Sequence, residues 1–139
     1  MCSAVEAQKI RATRTGIVIA VRDPGASRIP LKAGWRDILA LEVPDVDASG
    51  VADPAWNLDE SARRIARFVG TNATATRILL HCHLGVSRSR SIAAALCVHR
   101  GWPYAWTVLH QPLYDAVLRA LRLEGWAEGA SDCSPRNGD

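Results

Sequence analysis

A cysteine and an arginine with five residues between them, Cys82 and Arg88, are the pair in this chain whose types and spacing carry chemistry. They lie in the run Ile78-Leu79-Leu80-His81-Cys82-His83-Leu84-Gly85-Val86-Ser87-Arg88-Ser89. There an apolar, strand-like segment passes into a turn and then into a stretch of small residues with helical character. The intervening His83, Leu84, Gly85, Val86 and Ser87 are enough to curl the backbone into a cup whose N–H groups point inward. A helix beginning near Arg88 adds the positive end of its dipole beneath that cup. Gly85 supplies the backbone freedom that the curl requires, a positive φ included. Arg88, returning to the rim, can hold two oxygens of a tetrahedral dianion with its planar fork.

The same geometry makes Cys82 the nucleophile. Beside inward-pointing amides, a helix N-terminus and an arginine, a thiol pKa falls into a range of roughly 3.5–7.5, so a thiolate stands ready without a general base. His81 is not such a base, because consecutive strand residues point to opposite faces. Ser89 can donate a hydrogen bond to the sulfur and ease its departure from phosphorus.

With His81-Cys82, five residues, and then Arg88-Ser89, the chain resembles the cysteine-dependent protein tyrosine phosphatase superfamily. The ending Gly85-Val86-Ser87-Arg88-Ser89 is most similar to the small dual-specificity group and to compact bacterial tyrosine phosphatases. The resemblance extends more weakly over Ile17 to Pro24, Leu39 to Asp47 and Asn57 to Val69. It implies a phosphatase fold, a phosphocysteine intermediate, and a general-acid aspartate on a mobile loop before the cysteine. It also implies a further strand ahead of the first helix. Only Met1 to Val5 precede the helix-like segment ending at Arg11, so that strand is expected to be short or missing.

Other readings of the motif fit less well. A zinc site needs four convergent ligands, and His99, His110, Cys2, Cys97 and Cys133 form no second close-spaced pair. A nucleotide P-loop needs Gly-Lys-Ser/Thr, which is absent. Cys97, inside Ile92 to Val98, reads as a packing residue. A phosphate-binding module that does not hydrolyse would usually lack the nucleophile or the arginine. A thiol-dependent arsenate reductase or redox protein needs a resolving cysteine, and neither Cys97 nor Cys133 is an obvious one.

The elements that must position this loop follow from the whole chain. Its 139 residues suit one domain, expected over residues 1–128 with a small, polar, disordered tail from Gly129 to Asp139. Hydrophobic content of 48% and charged content of 22% are those of a globular protein. No apolar run is long enough to span a membrane, and no signal-peptide pattern opens the chain. The net charge of +3 has no Lys/Arg block behind it, which argues against nucleic acid as a partner. Four irregularly spaced cysteines are no disulfide framework, so a reducing cytoplasm is the expected location.

Strands are predicted over Gly16 to Val21, Ile38 to Val43 and Arg77 to His81, each a short apolar run rich in β-branched residues. Asn57, with Glu60 three residues on, caps a helix that Gly70 ends. The helix after the loop stops at Gly101. Pro103 suits the first turn of another helix carrying Trp106 and Leu109, and a last helix covers roughly Leu113 to Leu123. This alternation predicts a three-layer α/β domain with a mostly parallel central sheet flanked by helices, its ligand beyond the carboxyl end of a central strand.

Thiolate attack needs an acid to protonate the leaving oxygen. The stretch from Pro44 to Pro54 is the candidate lid, with Asp45 favoured, Asp47 a close alternative, and Asp53 more a turn residue. The predicted activity is hydrolysis of phosphomonoesters on a phosphorylated protein or small phosphoester by a monomer, with no metal or cofactor. No lysine occupies His83, Leu84 or Val86, which argues against an inositol-phosphate pocket. None of Trp35, Trp56, Trp102 and Trp106 is a clear aromatic wall that would choose phosphotyrosine over phosphoserine.

Overall fold

A computed structural model describes residues 1–126. The boundary at residue 128, the expected tail and Cys133 lie outside the described residues. The elements are β1 (Cys2–Ser3), α1 (Ala4–Ala7), β2 (Gly16–Arg22), β3 (Asp37–Glu42), α2 (Leu58–Thr71), β4 (Arg77–Cys82), α3 (Arg88–Arg100) and α4 (Gln111–Glu124). The strands form one parallel sheet in the order β1-β4-β2-β3.

Alternation along the strands divides the core in two. Ile17, Ile19 and Val21 of β2, with Leu41 of β3 and Leu80 and Cys82 of β4, face the apolar sides of α2, α3 and α4. Val18 and Leu79 point the other way, onto Ala7 of α1 and the half-buried Ile29, Leu31 and Trp35 of the coil between β2 and β3. The sheet is therefore flanked by helices as expected. Its second flank is thin, a four-residue helix and a coil.

β4 is an inner strand, so its carboxyl end lies between β1 and β2, where parallel α/β sheets present ligands. The first strand is present but short. Ser3 and Glu6 form a capping box at the start of α1, so two residues of strand pass directly into helix. β1 pairs with the end of β4, Ser3 opposite Cys82.

Two helix expectations fail. α1 stops at Ala7 rather than reaching Arg11. No helix begins at Pro103: residues 102–109 run irregularly, with the Trp106 indole N–H donating to the Arg90 carbonyl at 2.8 Å. Gly101, at φ 74°, ends α3 with Trp102 N–H closing back on Cys97 O, and the start signal belongs to His110 and Pro112 at the head of α4. Asn57 does cap α2, accepting from Glu60 N–H at 3.1 Å. The helix continues past Gly70 to Thr71.

Candidate active site

Cys82 is the last residue of β4 and is buried, with its sulfur at the foot of the loop that leads to α3. Gly85 N–H donates to Sγ at 3.2 Å, and the Ser89 hydroxyl lies 3.4 Å from it. Burial by itself pushes the thiol up. The Ser89 hydroxyl and amide, the Gly85 amide and the Arg88 charge together outweigh it, leaving the Cys82 pKa below its ordinary value. Ser87 is the N-cap of α3 but makes no side-chain cap bond, so its hydroxyl does not compete for the first-turn amides.

The loop keeps its curl for two reasons. Gly85 has φ +76°, a conformation that glycine adopts without a Cβ penalty. It also packs directly on the backbone of β1, and the Ala4 N–H donates to His83 O at 3.1 Å on the same side. β1 thus acts as a backstop for the loop. His83, Leu84 and Val86 are exposed at the rim.

Arg88 is almost completely buried. One guanidinium nitrogen, Nη1, donates to Val43 O at 2.8 Å and to Asp23 Oδ1 at 2.7 Å. Its Nε has no hydrogen-bond partner among the described residues and lies 3.8 Å from Asp45 Oδ2. Nη1 therefore anchors the side chain, while the buried Nε faces the Asp45 carboxylate without a hydrogen bond.

The three aspartates of the candidate lid are used differently. Asp45 Oδ1 accepts from the Ser87 hydroxyl at 2.6 Å, which brings the carboxylate to the edge of the loop. Asp47 Oδ1 accepts from Ser49 and Val51 N–H at 2.8 and 3.0 Å, closing its own turn. Asp53 accepts from Ala55 N–H at 2.9 Å, also locally. Of the three, Asp45 is the one bonded to the loop.

Two residues at the site carry no local signal in the sequence. Asp23, just beyond β2, meets Arg88 across 65 positions, and its neighbours Pro24 and Gly25 mark it only as a turn residue. His110 reads as one more histidine among four. Its Nδ1 accepts from Leu113 N–H at 3.2 Å, so the ring proton belongs on Nε2, which donates to Pro44 O at 3.2 Å. Its backbone N–H donates to Ser91 Oγ, and that hydroxyl donates to Ser87 O. His110 thereby ties the head of α4, the start of α3 and the residue before Asp45 into one ring of contacts. Burial holds its imidazole below the ordinary pKa, in the neutral form these bonds require.

His81 faces away from the thiol side of the sheet, is buried, and is pushed to a lower pKa by that burial. Cys97 is half-buried on α3, and burial pushes its thiol up. Cys2 sits opposite His81 in the β1–β4 ladder and packs on the far face of the sheet from Cys82. Among the described residues no helix is long and apolar enough to cross a membrane. Comparison with protein-family models, with curated proteins and with solved structures found no match.

Proposed function

We propose that this chain hydrolyses phosphomonoesters, phosphotyrosine foremost and phosphoserine or phosphothreonine where the cleft admits them, through a phosphocysteine on Cys82. The observation that carries the reading is the thiol held by the Gly85 N–H and the Ser89 hydroxyl at the head of a 13-residue helix, with the Arg88 Nε lacking a hydrogen-bond partner. A buried, low-pKa sulfur under inward amides is a nucleophile built for an anionic electrophile.

In the first step the Cys82 thiolate attacks phosphorus in line, a P–S bond forms, and the bond to the leaving oxygen breaks. The loop amides and Arg88 bear the charge on the equatorial oxygens. Asp45 gives its proton to the leaving oxygen, releasing the alcohol. In the second step Asp45 takes a proton from water as that water attacks phosphorus. The P–S bond then breaks, phosphate leaves, and the Ser89 hydroxyl receives the returning thiolate. Asp23 and the Val43 carbonyl hold the guanidinium in place throughout. The test is turnover of an aryl phosphate by Cys82→Ser: loss of activity is expected, and wild-type turnover would end the proposal.

A further inference from the structure

On the thin flank of the sheet, between β2, β3 and the coil after β2, lies a cavity of about 490 Å³. That is the size of an ordinary small-molecule pocket. It shares His83 and Asp23 with the cup, the first following the nucleophile and the second gripping Arg88. Its floor is kept open by two paired alanines, Ala20 and Ala40, beside the larger His81 of β4, and Ile38 and Leu31 add apolar wall. Ile38 is 46% exposed for want of a covering side chain.

Three polar groups in the wall lack partners. Arg28 and Arg64 make no ion pair among the described residues, whereas the third arginine, Arg22, is neutralised by Glu42 at 2.9 Å. His81 is 3% exposed, and neither of its ring nitrogens has a hydrogen-bond partner among the described residues. A buried imidazole without a partner is costly, whereas Arg28 and Arg64 are exposed and stand as solvated positive charges at the mouth of the cleft. One class of occupant fits the alanine floor and the two arginines: an apolar ring over the alanines, bearing an acidic group for the arginines.

We infer that this cavity receives the alcohol portion of the substrate, an inference that rests on the phosphatase reading of the cup. The preferred substrate is then a phosphomonoester of an aromatic alcohol that carries a second negative charge. The phosphate sits in the cup, the ring lies over Ala20 and Ala40, and the acid faces Arg28 and Arg64.

The test compares phenyl phosphate with the phosphate ester of 6-hydroxy-2-naphthoic acid in wild type, Ala40→Phe and Arg28→Glu. Wild type is expected to favour the naphthoate ester in kcat/KM by at least about tenfold, the ratio that 1.4 kcal/mol of added binding gives. Ala40→Phe fills the floor and Arg28→Glu reverses the charge. Arg28→Glu is expected to remove most of that preference through KM and leave phenyl phosphate unchanged, whereas Ala40→Phe is expected to raise KM for both esters, the naphthoate ester more. Arg28→Glu, in exposed coil, keeps the test valid should Ala40→Phe fold poorly. Calorimetric binding of free 6-hydroxy-2-naphthoate reads the cavity with no turnover. If phenyl phosphate is hydrolysed but preference and naphthoate binding are the same in all three proteins, the cavity assignment is overturned. If no phosphate ester is hydrolysed while naphthoate still binds wild type and is lost in the variants, the phosphatase reading fails and the cavity remains a site for an acidic aromatic ligand. If neither hydrolysis nor naphthoate binding is seen, both fall.

Discussion

Gly85 and Gly101 share almost the same left-handed backbone, φ +76° and +74°, in different surroundings. A Cβ at Gly101 would meet nothing within 4 Å. A Cβ at Gly85 would lie 2.6 Å from Cys2 C, 2.6 Å from Ser3 N and 2.8 Å from Cys2 O. Gly101→Ala therefore measures the cost of the left-handed conformation alone, about 1–2 kcal/mol. Gly85→Ala adds an overlap with three backbone atoms, which no side-chain rotation relieves. Overpacking of this kind costs about 1–3 kcal/mol, so Gly85→Ala should lose roughly 2–5 kcal/mol in all. The only relief is for β1 to move, which breaks the Ala4–His83 bond and loosens the loop around the sulfur. Equilibrium urea unfolding of the two variants gives the energies, and the pH dependence of Cys82 alkylation by iodoacetamide reads the loop. The thiol should titrate at higher pH in Gly85→Ala and as in wild type in Gly101→Ala. Equal stabilities and unchanged alkylation profiles would show that β1 does not support the loop.

Ser89→Ala removes a donor to the sulfur, so thiolate is lost at a higher pH and the acidic limb of kcat/KM should move up. A hydrogen bond to a charged group is worth about 1.5–3 kcal/mol, which predicts phosphoenzyme breakdown slowed roughly 10- to 100-fold in single-turnover kinetics. Asp45→Asn should cost about 10²–10⁴ on a substrate with a poor leaving group and far less on p-nitrophenyl phosphate, whereas Asp47→Asn, whose amide oxygen can still close its own turn, should stay within a few-fold on both; equal mild effects would remove Asp45 as the acid. His110→Asn retains an oxygen for the Leu113 N–H but cannot reach Pro44 O, so it should lose rate on poor leaving groups and about 1–3 kcal/mol of stability for the unpaired carbonyl. His110→Ala should additionally lose about 1 kcal/mol in thermal or urea unfolding.

What could be read in the sequence was local. The curl from Cys82 to Ser89 is written in consecutive residues, and the strands around it in short apolar runs, so their positions and Gly85's positive φ follow from the sequence. Asp45 stood out because it follows a strand directly. Its bond to Ser87 depends on how two strand ends converge, which no local pattern encodes. Asp23 and His110 were missed for the same reason: each acts across more than 60 positions, on Arg88 and on Pro44. The Pro103 helix failed where a valid start signal lost to tertiary packing. Gly101 had closed α3, Trp106 was drawn onto Arg90 O, and His110 with Pro112 offered a better start. β1 was too short for any periodicity, and it exists because its partner strand and the loop need it.

The phosphocysteine itself is the most direct measure of the mechanism. Asp45→Asn, with both steps slowed but the nucleophile intact, should be mixed with an aryl phosphate, quenched in acid and mapped by peptide mass spectrometry. One phosphoryl group on the peptide containing Cys82, absent from Cys82→Ser, is the predicted result. Hydrolysis of the ester with phosphate on another residue, or at an undiminished rate in Cys82→Ser, would contradict it.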